Sequence, residues 1–403
     1  MKIRTVAAAI LFVFNPLVGG VASFINICRK DVSNGDIIII AMFFFLLGYS
    51  TPPVYDLYRH YNDFNNIVDL NTFLNLIQRK FDLTLYLTEF IIRELGLHFA
   101  VIPGLYLFIS YIIIFSLYKY YVYRIPKQNA ITYFLLTLSV LLSVPVFTIA
   151  LGLRFGFGCF LALYAIFQIY EKNNIRGYIF LLLAVVSHYA FLLTIIAIIC
   201  VKLLNLNRLQ FLILIVIAIS CSYIVSDVIL VLPLPELFKS RLLAYLTGYW
   251  ATEFLNTYSI WYRVSLFLTY WMIYPGILYV ILSKDTFRKD KLTKLTVFSI
   301  VLLLFFYNYE VIFSRYALFV NLLILFQFVK FYSLDILKSI FLIVMVLFSA
   351  ITFICGNIYA NRTVIELNNM IDVLYLPPLV TIIERSSYKS EVLNKIDAEG
   401  RFL

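Results

Sequence analysis

GYIFLLLAVVSHYAFLLTIIAIICV, residues 177–201, holds no charged side chain and is long enough to cross a bilayer as one helix. Read that way, it puts His188, one of only three histidines, near the bilayer centre, where an ionisable group is costly. The other reading is a bent pair, two short helices that turn near Ser187 and His188. The choice sets the parity of the crossings around it.

The 403 residues are 63% hydrophobic and 13% charged, with mean hydropathy +0.94. That leaves too little polar surface for a soluble domain and implies an all-α, polytopic integral membrane protein. Aromatic residues, at 18%, suit lipid-facing helices and interfacial belts. The five cysteines (Cys28, Cys159, Cys200, Cys221, Cys355) are scattered and indicate neither a disulfide framework nor a metal site. The start, MKIRTVAAAILFVF, has the look of a signal peptide, but its apolar run continues past Asn15-Pro16 and reads as an uncleaved first helix.

Apolar runs long enough to span lie near 5–25, 36–51, 98–118, 130–150, 154–170, 177–201, 209–231, 261–282, 295–312, 315–332 and 337–356. About 11–12 transmembrane helices are therefore expected in one membrane domain over 1–356, with external, partly helical loops at 52–97 and 232–260 and a tail over 357–403. Loops 119–129 (Lys119, Arg124, Lys127) and 283–294 (Lys284, Arg288, Lys289, Lys291, Lys294) carry a basic excess and belong on the cytoplasmic side. An even number of crossings must separate them, yet the simple count is five. Making 177–201 a bent pair repairs the parity, and the whole formal excess of +10 then falls on the inner face. Halves that short must be tilted or must end in a protein-lined cavity. The other repair keeps 177–201 as one span and miscounts another segment, such as 209–231.

The outer face then collects the polar, Tyr-rich stretch 52–97. In its second half Leu83, Tyr86, Leu87, Phe90, Ile91 and Leu95 recur at helical spacing, as in an amphipathic helix lying in the interface. Nucleotide-binding loops, dinucleotide fingerprints and zinc-protease motifs are absent, as is a run of intramembrane acids and bases. What remains is a scatter of cations and polar groups at one face. Arg154, in IALGLRFGFGCF, either snorkels to headgroups or holds a phosphate at a helix start. Gly152, Gly156 and Gly158 allow close approach of a ligand or a helix. His188 either packs between helices or contacts a phosphate oxygen or a hydroxyl proton at a hairpin tip. Arg315 either pairs with Glu310 or binds phosphate or sugar beside Tyr307, Tyr309 and Tyr316. Arg241 and Arg263 are external-loop cations. Asp56, Arg59, His60 and Tyr61 form a dense polar group just after the second helix.

With these residues placed, the chain resembles a bacterial polysaccharide polymerase of the Wzy/EpsG type, in order, over roughly 36–330. The resemblance rests on Asp56 with Tyr58 and Tyr61, on DLTLYLTEFIIRELGL, on GLRFGFGCFLALYAIFQIYEKN, on SHYAFLL and on SRYALF. Many relatives have Gln after the first Arg, where Phe155 stands here. The resemblance implies a glycosyltransferase of the bacterial inner membrane, with its active site facing outward. It would move a glycan from a polyprenyl (undecaprenyl) pyrophosphate carrier to the non-reducing end of another lipid-linked repeat, with no metal, nucleotide sugar or other cofactor. Its partners would be that lipid-linked oligosaccharide, membrane lipid and a chain-length regulator, and no nucleic acid. It assigns His188, Arg154, Asp56 and Glu310 to catalysis, and Arg154, Arg241, Arg315, Tyr316 and Tyr61 to pyrophosphate or sugar. An O-antigen ligase-like enzyme or another polyprenyl-phosphate-dependent transferase shares the same logic. A flippase would show two pseudo-repeated halves, which the sequence does not.

Overall fold

A computed structural model describes residues 2–80, 82–204, 206–233, 236–248, 260–283, 290–333, 335–388, 390–397 and 399–402. Among the described residues the regular structure is helical, with one isolated bridge between Ile396 and Phe402. Among the described residues, four helices are long and apolar enough to cross a membrane: Val101–Arg124, Ala130–Gly152, Glu310–Lys330 and Ile336–Tyr359. A fifth counts if Arg208–Cys221 and Val225–Val231, bent by 75°, form one span. The protein is thus an all-α polytopic membrane protein. Its other long apolar runs are divided into helices of 10–17 residues more often than the sequence reading expected. Contacts gather the chain into two compact units, Met1–Phe191 with Asn357–Leu403, and Leu192–Gly356.

The first unit departs from the sequence expectation at its start. Residues 5–25 do not form one crossing. The helix α1 (Ile3–Phe14) ends at Asn15, and α2 (Pro16–Ile27) packs back against it. Asn15 caps α2 by accepting from Val18 N–H at 3.0 Å, and Pro16 occupies the first turn, where its missing donor is harmless. Gly19 lies so close to Phe12 that a Cβ there would overlap the Phe12 backbone. Composition suits a span and a hairpin equally, so length alone misled. At the open end, buried Asp36 on α3 (Asn34–Tyr49) accepts from Thr5 Oγ1 and Asn26 Nδ2, each at 2.9 Å, tying all three helices together. Lys2 pairs with Asp31 beside them.

The runs expected near 36–51 and 98–118 are both helical, and the second is long enough to span. α3 runs antiparallel to α7 (Val101–Arg124), with Gly48 against the Pro103–Gly104 backbone at one end and Lys119 Nζ donating to Asn34 Oδ1 at 2.8 Å at the other. Phe44 stacks on Tyr111 between them, ring centroids 3.6 Å apart. Lys2, Lys30, Lys119 and Arg124 therefore share one end of this unit, and residues 50–100, with α4 (Asp56–Asn66), α5 (Leu70–Lys80) and α6 (Leu83–Glu94), occupy the other. α8 (Ala130–Leu142) and α9 (Val146–Gly152) are separated at Pro145, and Asn357 mends the break. Its Oδ1 accepts from Phe147 N–H at 3.2 Å and its Nδ2 donates to the Val144 carbonyl at 3.4 Å. α10 (Arg154–Tyr170) and α11 (Arg176–Ser187) then form a close pair.

α11 stops at Ser187, His188 is extended (φ −159°, ψ 123°), and α12 (Leu192–Leu203) follows a single turn, Tyr189–Phe191. The expected division of 177–201 into two short helices is present, and it falls where the first compact unit gives way to the second.

In the second unit, α12 and α13 (Arg208–Cys221) pack on the helix Lys291–Leu304, which in turn packs on Glu310–Lys330. The segment 232–260 is described only in part: Glu236–Leu246 is helical, and 249–259 lie outside the described residues.

The region 357–402 packs with the first unit, at the end that holds residues 50–100. Asn368 Nδ2 donates to the Ser50 carbonyl at 2.8 Å, Tyr49 OH to the Ile382 carbonyl at 3.3 Å, and Tyr55 N–H to the Gly400 carbonyl at 2.7 Å.

The hairpin can be tested with two adjacent glycines. Gly19→Ala places a methyl group on the Phe12 backbone and should lower the melting temperature of the solubilised protein, an overpacking cost of about 1–3 kcal/mol. Gly20→Ala meets only the Phe43 ring at 3.5 Å and should be neutral or stabilising, because Ala is the better helix former. Equal melting temperatures for the two variants would rule out the hairpin.

Candidate functional site

Two backbone features set the site. Tyr55 (φ 54°) and Leu153 (φ 40°) are left-handed without being Gly or Asn, a conformation that L side chains avoid. Each directly precedes a charged residue that begins a helix: Asp56 starts α4 (Asp56–Asn66) and Arg154 starts α10. Tyr55 is held by its bond to Gly400 and by the edge of Phe402, and Leu153 is fully buried. At Gly156 a Cβ would lie 2.6 Å from the Ile149 Cα, so the turn from α9 to α10 needs that glycine. Gly158 likewise admits the Phe191 ring, whereas nothing lies within 4 Å of a Cβ on Gly152. Two of the three glycines thus admit protein rather than ligand.

The strained turns bring Arg154 and Asp56 together. One Arg154 amino group reaches Asp82 Oδ2 at 2.8 Å and the other reaches Asp56 Oδ2 at 3.2 Å. Arg59 pairs with the second Asp56 oxygen at 2.6 Å. Behind Asp56, the fully buried His60 lies between two carboxylates, its Nε2 3.9 Å from Asp56 and its Nδ1 3.7 Å from Glu89, which is also fully buried. Tyr86 OH donates to Asp63 at 2.9 Å on the same side. Burial pulls the Asp56 carboxyl upward, but His60, Arg154 and Arg59 outweigh it and hold its pKa below the ordinary 3.8.

Asp82 and Glu89 come from the region that the sequence reading took for a surface helix. In α6 (Leu83–Glu94), Leu85, Tyr86, Glu89 and Ile92 face inward, while Leu83, Leu87, Ile91 and Leu95 form an exposed ridge. The apolar stripe expected for one face is divided between two. The available signal was the seven-residue spacing of Asp82 and Glu89, which puts both on the helix side that carries Tyr86.

The remaining candidates are placed apart. His188 is buried, edge-on to Phe155 (5.3 Å between centroids), and it approaches the cluster through that neighbour of Arg154. Its Nδ1 accepts from Ala190 N–H at 3.2 Å, so the neutral ring carries its proton on Nε2. Tyr61 meets Phe99 and Tyr388 rather than Arg154.

In the second unit, Arg315 donates to Tyr245 OH at 3.2 Å and lies over that ring. Glu310 accepts from Tyr270 OH at 3.3 Å. Tyr316 is 1% exposed and offers no open face to a sugar. The Arg241 side chain lies outside the described residues. Among the described residues, no three His, Cys, Asp or Glu side chains are placed to hold a metal ion.

Compared with known proteins, residues 36–388 match the family described as the EpsG family. No curated protein and no solved structure matches the chain.

The pKa of Asp56 has a measurable consequence. A depressed carboxylate contributes stability that is fully present above its unfolded value and is lost as the pH falls through its lower folded value. The melting temperature of the wild type should therefore drop below about pH 4 more steeply than that of Asp56→Asn. Parallel acid limbs for the two proteins would show that the cluster does not hold Asp56 in its charged form.

Proposed function

The chain belongs to the EpsG family, a family of Wzy-type polymerases, and on that premise we propose that it is a membrane glycosyltransferase that polymerises a surface polysaccharide from lipid-linked repeats. The observation that carries the reading is the Arg154–Asp56–Asp82 cluster, two cations and three acids gathered at one end of the first unit. The basic residues Lys30, Lys119 and Arg124 lie at the opposite end, which supports an outward-facing site by the positive-inside rule.

In the proposed reaction, a hydroxyl at the non-reducing end of one repeat attacks the anomeric carbon of a glycan on a polyprenyl pyrophosphate. The new C–O bond forms as the bond from the anomeric carbon to phosphate oxygen breaks, and the pyrophosphate leaves with the electron pair. Arg154 and half-exposed Arg59 meet its charge. Asp56 is ionised at neutral pH and takes the hydroxyl proton. Drawing Arg154 toward phosphate removes a cation from Asp56 and raises its basicity during the reaction. Glu89 and His60 position Asp56 from behind, and Asp82 orients Arg154. His188 acts through Phe155 in shaping the start of α10. The carrier is proposed as undecaprenyl pyrophosphate in the inner membrane.

Complementation of a polymerase-null strain tests this reading. The wild-type gene should restore long glycan chains, and a strain that still makes only capped single repeats would remove the proposal. Arg154→Ala should reach the membrane at normal levels and lower polymerisation by about 10²–10³-fold, the loss expected for a donor to developing charge. Normal chain lengths from that variant would strip Arg154 of its role.

A further inference from the structure

A cavity lies at the same end of the first unit, built almost wholly from the C-terminal region. It encloses about 190 Å³, and its lining includes Tyr49, Glu366, Asn369, Glu384, Tyr388 and Glu391. That volume is below the range of drug-sized sites and suits a small, polar group. Asp372 and Arg385 also line it, but both are engaged. Arg385 donates to the Asn368 and Asn369 carbonyls at 2.6 and 2.9 Å and lies 3.6 Å from Asp372, which accepts from Tyr375 OH at 2.6 Å. The groups left facing the cavity include exposed carboxylates at Glu366, Glu384 and Glu391, the Lys395 ammonium, the Asn369 side chain and two tyrosines. The Tyr388 hydroxyl is buried without a hydrogen-bond partner among the described residues.

This chemistry is unlike that of the Arg154 cluster. Here Arg385 is held by backbone carbonyls and Asp372, and Lys395 faces three carboxylates. Two guanidiniums, Arg154 and Arg59, serve the other cluster, so a neutral sugar suits this cavity better than a phosphate or an acidic sugar. Carboxylates and amides that accept hydrogen bonds between aromatic walls match the hydroxyls and apolar ring faces of a sugar. α4 joins the two places: Asp56 and His60 face Arg154 and Glu89, whereas Tyr61 meets Tyr388, ring centroids 5.3 Å apart, on the cavity wall.

We propose that the C-terminal region forms a glycan subsite, taking a sugar residue that carries hydroxyl or amine donors and no acid group, at a distance from the pyrophosphate. The proposal rests on the polymerase reading for the origin of the sugar and on the cavity alone for its place.

The probe is the oligosaccharide released by mild acid from the lipid-linked repeat of the strain that carries the gene. It is offered to the full chain in nanodiscs and followed by saturation-transfer NMR. The wild type and Arg154→Ala should both bind it, and inorganic pyrophosphate should not displace it. The double variant Glu366→Ala/Glu391→Ala, at exposed positions, should keep the wild-type melting temperature and bind at least about fivefold more weakly, as expected for losing one or two hydrogen bonds. No binding by the wild type, unchanged binding by the double variant, or displacement by pyrophosphate would overturn the subsite. Complementation reads the polymerase separately. A wild-type gene that restores no polymer, beside binding lost only in the double variant, would remove the polymerase reading and leave the subsite standing.

Discussion

Everything at the end of the first unit that holds residues 50–100 turns on one guanidinium held by two carboxylates. Arg154 is joined to residues 98 and 72 positions earlier in the chain, so it fixes α4, α6 and α10 relative to one another. A partly buried pair of this kind gains little net stability, because desolvation offsets attraction, but removing one partner leaves uncompensated charge. The fold also accepts backbone strain to form it: Tyr55 and Leu153 are both left-handed, each one residue before a member of the bridge. Strain at those two positions, and not elsewhere along α4 or α10, is what aims the side chains.

An arginine held this way is not an idle anion site. A phosphate must exchange for a carboxylate, and the carboxylate set free is then less stabilised as an anion. On the proposed reading, binding charge and creating a base become one event, which couples donor arrival to acceptor activation without moving a helix. His60 and Glu89 make that exchange local, because they keep Asp56 in place from behind while Arg154 is drawn forward.

How much of this was legible depends on what each signal measures. Arg154 stood out because a cation inside an apolar stretch is costly, and Asp56 because it begins a polar group after a span. Asp82 and Glu89 stayed hidden because acids in a polar segment look solvated, and pairing across such separations leaves no periodic trace. The division at Ser187-His188 was legible through the parity of charged loops, a global constraint. The hairpin at Asn15-Pro16 was not, since two 12-residue helices and one span have the same composition. What decides it is the contact of Gly19 with Phe12 and the buried Thr5–Asp36–Asn26 network, both of them tertiary.

The C-terminal region read as a tail because it is polar and follows the last apolar run. Physically it finishes the site twice. Asn357 supplies the donor and acceptor missing at the Pro145 break, a few residues before Leu153 and Arg154. Gly400, itself left-handed at φ 79°, accepts from Tyr55 N–H, one residue before Asp56, and a Cβ there would lie 2.6 Å from the Cβ of Tyr58. Backbone polar groups in such places must be satisfied, and left-handed tyrosine must be over-determined by its surroundings. Each half of the Arg154–Asp56 bridge is therefore reached through backbone that the last fifty residues hold. A segment that contributes no member of the cluster still sets its geometry, which is why the cavity it forms and the cluster it supports lie on adjoining sides of one short helix.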